Sequence, residues 1–423
     1  KESKNHEQAL VAYRKEKEIL EELTEKTPDN LNWKHNLSVN WNKIGFLEKK
    51  LKNQEGALEA YKKIKSILEE LVQKEPEKLP WKRELGISWG QIGNLEKEKK
   101  NLEEARKAYD KLLVIEKDLI ESKPDNLKWK YEYGMSCGLI GYLEDKRGST
   151  EKALEAYEKG LEIRKELVEK DPSHTGWKRE LGSSWIRIGD IERAQGNIEK
   201  ALEAYYHFQK ITKELIEKDS KQTLWRHDLS IGWGRIGDIE RRRGNIEKAE
   251  AAYKKAYEIK KWLIEKEPNN TDWKYALSVS WRKMGNIEMD KGNFEKAQEN
   301  YLKTLKILKE LIENDQNDTN LRKNHGIILS KIGRLYQARK DNQNARDYFL
   351  QALEIIRTLT EQSPKNMDYF VKLAFVLADL AEVSENEVEK TEYLNEAQNI
   401  TKNLVDSGKQ HEDLNDLKSK LSI

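Results

Sequence analysis

The sequence predicts an all-α fold, a solenoid of antiparallel helix pairs, and three observations predict it. A tryptophan recurs every 48 residues, at Trp33, Trp81, Trp129, Trp177, Trp225 and Trp273. The same step carries a glycine (Gly45, Gly93, Gly141, Gly189, Gly237, Gly285, Gly333) and, twelve residues on, an alanine with an aromatic four beyond it. That last pair runs from Ala57 and Tyr61 through to Ala345 and Phe349. Between these marks apolar residues return at helical spacing, and no alternating strand pattern competes. Seven copies in one register without an insertion make one repeat array, so length alone sets no domain count.

The elements follow in order. Ala9 and Tyr13 lie 48 residues before Ala57 and Tyr61, so residues 1–30 are expected to be the second helix of a repeat that lacks its first. Lys1 is then not expected to be a native beginning, and a larger protein would continue upstream. Residues 31–366 form seven 48-residue repeats. In the fourth, Trp177, Leu181, Trp185, Ile188 and Ile191 mark one face of a first helix, and Gly196-Asn197 breaks it. Ala201, Leu202, Tyr205, Phe208, Ile211 and Leu215 then stripe a second helix from about Glu199 to Lys218. Pro172 stops the preceding second helix, as Pro28, Pro76, Pro124, Pro268 and Pro364 do elsewhere, through a missing N–H and a restricted prior residue. Residues 367–423 read as a degenerate eighth repeat and a capping helix around Asp413–Leu421.

The run Trp-x2-Ile-Gly-x2-Glu followed by Ala-x3-Tyr resembles the tetratricopeptide repeat. The resemblance covers essentially the whole chain and implies a right-handed superhelical solenoid with first helices lining a concave groove. Two departures stand out. The unit is 48 residues, with both helices lengthened, and the signature tyrosine is glutamate at Glu48, Glu96, Glu144, Glu192, Glu240 and Glu288, returning at Tyr336. The long, tryptophan-rich form is similar to repeats in bacterial signalling proteins, including the sensor halves of NACHT-type signal-transduction ATPases.

Composition narrows the function. Charged residues make up 36% while the net charge is only +2, which argues against general electrostatic capture of nucleic acid. No apolar run suits a membrane span, and no charged-then-apolar leader opens the chain, so a cytoplasmic location is the default. One cysteine, Cys137, excludes an intrachain disulfide or a multi-cysteine metal site; it replaces the second tryptophan of repeat 3 and reads as a core filler. Gly232-Trp-Gly234-Arg-Ile-Gly237 matches a dinucleotide fingerprint, but it sits inside a helix rather than after a strand and is set aside. No cofactor, metal site or catalytic residue is expected.

Two periodic features call for structural explanations. The tryptophan pairs are expected to fill the gaps between stacked hairpins, with Trp185→Ala costing about 3–5 kcal/mol. Each repeated glutamate is expected to accept from a neighbouring tyrosine or indole, or to pair with a Lys or Arg of an adjacent repeat.

What the resemblance leaves free is the groove. Its positions carry Phe46 and Tyr142 in the first repeats and a cationic ladder in repeats 4 to 7. The ladder comprises Arg187, Arg193, Arg235, Arg241, Arg282, Lys283, Lys331 and Arg334, punctuated by Asp190, Asp238 and Asn286. Guanidinium groups fork onto carboxylate or phosphate, whereas the aspartates could equally neutralise the ladder. Arg282 and Asn286 echo part of a carboxylate clamp, but Lys331 stands where its second asparagine should be, so that specificity is not carried over. The expected function is non-catalytic recognition of a protein or peptide, acidic if the ladder is free, in the sensor or scaffold region of a bacterial signalling or defence protein. Nucleic acid, a membrane and small molecules are not expected partners. A nucleic-acid-binding solenoid, or a regulatory arm of an upstream enzyme, are the competing readings.

Overall fold

A computed structural model describes residues 2–364, 366–407 and 413–422. Lys1, whose status as a beginning was in question, lies outside them. The described residues form eighteen α-helices and no strand. Two compact units divide the chain, Lys1–Ile188 and Gly189–Ile423, with the boundary inside the helix Thr175–Ala194.

The first unit opens on Glu2–Lys26 and continues through Leu31–Lys50, Gln54–Lys74, Leu79–Glu98, Leu102–Ser122, Leu127–Arg147 and Thr150–Lys170. Each first helix packs on its own second helix, and that one on the first helix of the next repeat. The second unit repeats this with Ile198–Lys218, Thr223–Arg242, Ile246–Lys266, Thr271–Asp290, Phe294–Asn314, Thr319–Ala338 and Asn342–Gln362. It closes with Met367–Val383, Glu387–Asp406 and the short Leu414–Leu421. Leu414, Leu417 and Leu421 of that last helix are buried, and Lys420 ties it to Asp379 at 3.0 Å and Glu382 at 2.6 Å. Residues 408–412 and 423 of the expected cap lie outside the described residues.

The periodic residues explain why this sequence stacks. All seven alanines, from Ala57 to Ala345, are fully buried, because only a methyl fits where the helices of a pair approach. The glycine and the aromatic are one device. A Cβ on Gly93 would lie 2.5 Å from the Tyr109 ring, and one on Gly189 2.6 Å from the Tyr205 ring. The missing side chain is the seat of the tyrosine.

The turn between paired helices is equally uniform. Gly196 takes φ +83° and its N–H bonds Arg193 O at 3.1 Å, while the next N–H, of Asn197, reaches back to Glu192 O at 2.8 Å. This is a Schellman turn, which satisfies the last carbonyls of the first helix. The repeated glutamate sits at its start, buried in each of repeats 1 to 6, and its partner is mostly not the one expected. Asn197 Nδ2 donates to Glu192 Oε2 at 2.7 Å, and Asn101, Asn245 and Asn293 do the same to Glu96, Glu240 and Glu288 at 2.7–2.8 Å. The carboxylate thus staples the turn by its own asparagine five residues on. The expected cross-repeat pairing holds at Glu48, which takes Arg14 at 2.6 Å beside Asn53, and at Glu144, which takes Arg106 and Arg147. Ser149 stands where the asparagine would be in the latter case. In repeat 7 the turn residue is Asp341, a second carboxylate would repel it, and Tyr336 replaces the glutamate.

The tryptophans depart from expectation. Only Trp81 and Trp273 are buried; the others are partly exposed along the edges of the hairpins. The second tryptophans are each covered by a lysine, as Lys17 covers Trp41 at 5.2 Å, Lys165 covers Trp185 at 5.3 Å and Lys303 covers Trp281 at 4.3 Å. An indole is too large for the gap beside a fully buried alanine, so its outer ring is roofed by an ammonium and its stem.

Candidate functional site

The candidate surface is the face of the first helices, built by the crossing of successive repeats. The residue one past a glycine meets the residue two before the next glycine, 45 positions on. In the second unit this makes Asp190 accept from Arg235 (Nη2 to Oδ2, 3.1 Å) and Asp238 from Lys283 (2.8 Å). At the far end the charges are exchanged, with Arg334 paired to Asp379 at 2.8 Å. Arg241 is bound by Asp290, Nη2 to Oδ1 at 2.8 Å. Four of the eight cations of the predicted ladder are therefore neutralised within the protein.

The same aspartates are anchored from beneath. Tyr205 O–H donates to Asp190 at 2.8 Å, Tyr253 to Asp238 at 2.7 Å, and Tyr301 to Asn286 at 2.9 Å. Burial works against ionisation of Asp238, yet Lys283 and the Tyr253 hydroxyl hold its carboxyl below the usual range. These contacts tie each first helix to its own second helix and to the next repeat.

Three cations of the predicted set have no ion pair among the described residues. Lys331 occupies the rung where Asn286 replaces the aspartate; burial, with Arg282 and Arg334 nearby, pushes its ammonium down to about 7. Arg282 is partly buried beside it in sequence register, and Arg187 in the first unit is exposed opposite Tyr142. Arg193 is partly exposed. Phe46 and Tyr142 are exposed and flanked by ammonium groups, Lys50 over Phe46 and both Lys97 and Lys146 over Tyr142.

A second set of residues escaped sequence reasoning. On the second helices one inward position is apolar in the outer repeats, at Leu20, Leu68, Leu308 and Ile356. In the middle repeats it holds Glu116, Arg164, Thr212 and Lys260, each at most 9% exposed. The signal was present in the 48-residue register, but a polar residue in an apolar stripe is easily passed over. Glu116 accepts from Ser136 at 3.0 Å, its other oxygen has no partner among the described residues, and burial pushes its carboxyl up to about 8. Burial, then Lys283, pushes Lys260 down to about 7. Arg164 donates to Ser184 Oγ at 3.0 Å and forms no ion pair among the described residues.

Nucleophilic chemistry finds no support at Cys137, which is buried and whose thiol burial pushes up to about 11. Among the described residues no group of three or more His, Cys, Asp or Glu is placed to hold a metal, and no helix is long and apolar enough to cross a membrane.

Comparison with known proteins bears on the repeats themselves. No curated protein sequence matches the chain. In fold it is similar to the apo form of RapI, at 14% identity over 97% of this chain and 98% of that one, with a TM-score of 0.56. It is also similar to a tetratricopeptide repeat protein from Parabacteroides merdae, at 14% identity over 80% of this chain and 98% of that one, TM-score 0.43. A Rap protein complexed with Competence and Sporulation Factor matches at 16% identity over 90% and 100%, TM-score 0.42. At these identities the likeness is one of fold. The tetratricopeptide repeat family itself is matched over residues 276–358, and by a second family of the same description over 87–118, 136–167 and 232–261. Tetratricopeptide repeats are therefore present in both compact units of this chain.

Proposed function

We propose that the chain is a non-catalytic recognition scaffold that holds a partner protein or peptide on the face of its first helices. One observation carries this. The side chains that recur in every repeat are consumed by stacking, while those on the first-helix face vary from repeat to repeat. Phe46 and Tyr142 are left there exposed, and Arg187, Arg282 and Lys331 have no ion pair among the described residues. An aromatic and guanidinium surface of this kind suits a peptide with acidic residues. The finer reading, a sensor region of a larger bacterial signalling protein in the cytoplasm, rests on resemblance to long tryptophan-rich repeats.

The test is affinity capture with the chain as bait, comparing wild type with the triple variant Arg187→Glu, Arg282→Glu, Lys331→Glu. Loss of the captured partner by the variant, at an unchanged melting temperature, is expected; equal recovery by both would sink the proposal. The nucleic-acid reading is weakened because Arg235, Lys283, Arg241 and Arg334 already have carboxylates. It predicts a mobility shift with single-stranded or duplex DNA that steepens at low salt, and we expect none.

A further inference from the structure

Three departures from the repeat pattern converge in repeat 3. Arg164 replaces the leucine found at Leu68 and Leu308; Gly160 replaces the Ile64, Leu112 or Phe208 of other repeats; Cys137 replaces the second tryptophan. They form one construction. A Cβ on Gly160 would stand 2.7 Å from Arg164 Nη1 and 3.3 Å from the Cys137 Cβ, so both small residues are what give the guanidinium room. A mid-helix glycine costs helix stability and a buried guanidinium is costly without a counter-ion. Neither cost serves the stacking.

The guanidinium is 5% exposed and only partly satisfied. Nη1 donates to Ser184 and Nη2 to the Met135 sulfur at 3.7 Å, while Nε has no partner among the described residues. It lines a cavity of about 280 Å³, open to the first-helix face. Arg187 and Lys97 stand in the same wall against one carboxylate, Glu180, which reaches Arg164 only through space. Tyr142, Leu139 and Met135 give the remainder an apolar lining. The volume is many times the ~30 Å³ share of one water, enough for a whole side chain.

We propose that this cavity is an anchor pocket for an aspartate or glutamate side chain of a bound peptide, its carboxylate meeting Arg164 and Arg187 and its stem lying on Tyr142. This rests on the peptide-recognition reading above. A carboxylate suits the site better than a dianionic phosphate, because Glu180 already offsets part of the cationic charge in the wall.

The probe is a displayed library of random twelve-residue peptides panned against the whole chain. Winning peptides are resynthesised with acetylated and amidated ends and measured by fluorescence anisotropy. Enrichment of Asp or Glu at one position is expected, with about thirtyfold weaker binding when that residue becomes its amide or when Arg164→Leu is used. R164L restores the residue of the equivalent repeats and is expected to melt at a higher temperature than wild type. Arg187→Gln, at the exposed mouth, is expected to weaken binding about threefold and cannot disturb the core. Peptides bound equally by wild type, R164L and R187Q overturn the proposal and leave the recognition reading standing. Peptides lost on end-amidation but not on Glu→Gln exchange overturn the side-chain source. Recovery of no peptide at all overturns both readings.

Discussion

The outer and middle repeats share one scaffold and differ at one inward place. Leu20, Leu68, Leu308 and Ile356 close the hairpins of the outer repeats with apolar contacts, while Glu116, Arg164, Thr212 and Lys260 occupy the same place in the middle. The turns divide along nearly the same line. Repeats 1, 2 and 7 place Lys52, Lys100 and Lys340 in the left-handed region at φ +62° to +64°, where repeats 3 to 6 place glycine. Repeats 1 and 7 combine a strained turn with an apolar interior, and repeats 3 to 5 a relaxed turn with an interior that is expensive to bury. Repeats 2 and 6 mix the two, Lys100 with Glu116 and Gly292 with Leu308. Stacking needs neither Glu116, Arg164 nor Lys260, which is the reason to look there for function.

The sharpest break of this comparison is Leu68→Arg. Leu68 is fully buried, and no counterpart of Gly160 makes room for a guanidinium there, so a loss on the order of 4 kcal/mol is expected from chemical denaturation. A loss under 1 kcal/mol would mean that the outer place accepts charge as readily as the middle. The reverse exchanges, Arg164→Leu and Lys260→Leu, should stabilise by roughly 1–4 kcal/mol. A lower denaturation midpoint for either would mark that residue as structural.

Titration sharpens the same contrast. Glu116 has a folded value of about 8 against an ordinary 4.5, so its contribution to stability is complete below pH 4.5 and is lost as pH rises through 8. Lys260 has a folded value of about 7 against 10.5, so its contribution is complete above pH 10.5 and is lost as pH falls through 7. Denaturation curves should therefore show Glu116→Gln flattening a decline between those first two values and Lys260→Leu flattening a rise between the second two, each on the order of 1–3 kcal/mol. Parallel wild-type and variant profiles would contradict the burial of these charges. For Trp185→Ala, partial exposure lowers the expected cost to about 2 kcal/mol, measurable as a shift in urea midpoint. The smallest effect belongs to the turns, where Lys52→Gly should gain and Gly196→Ala lose about 1 kcal/mol in thermal melts. A loss for Lys52→Gly, or no loss for Gly196→Ala, would refute the assignment of strain.

The register of Trp, Gly, Ala and Tyr specified the helix pairs, their length and the place of each turn, because each is a local or next-neighbour requirement that repeats with the chain. Asn197 after Gly196 could be read as a turn. That Asn197 also holds Glu192 needed the Schellman geometry that folds one onto the other. The ladder was legible as a row of charges, but not its neutralisation. Asp190 and Arg235 are 45 residues apart, not 48, and only the angle at which one first helix crosses the next makes them neighbours. In the same way Arg164, Gly160 and Cys137 look like three unrelated lapses along the chain, and become one cavity only when the second helix is laid against the first helix of its own repeat and of the next. Sequence determined what repeats; tertiary packing decided which exceptions meet, since contact between repeats depends on crossing geometry that no single register encodes.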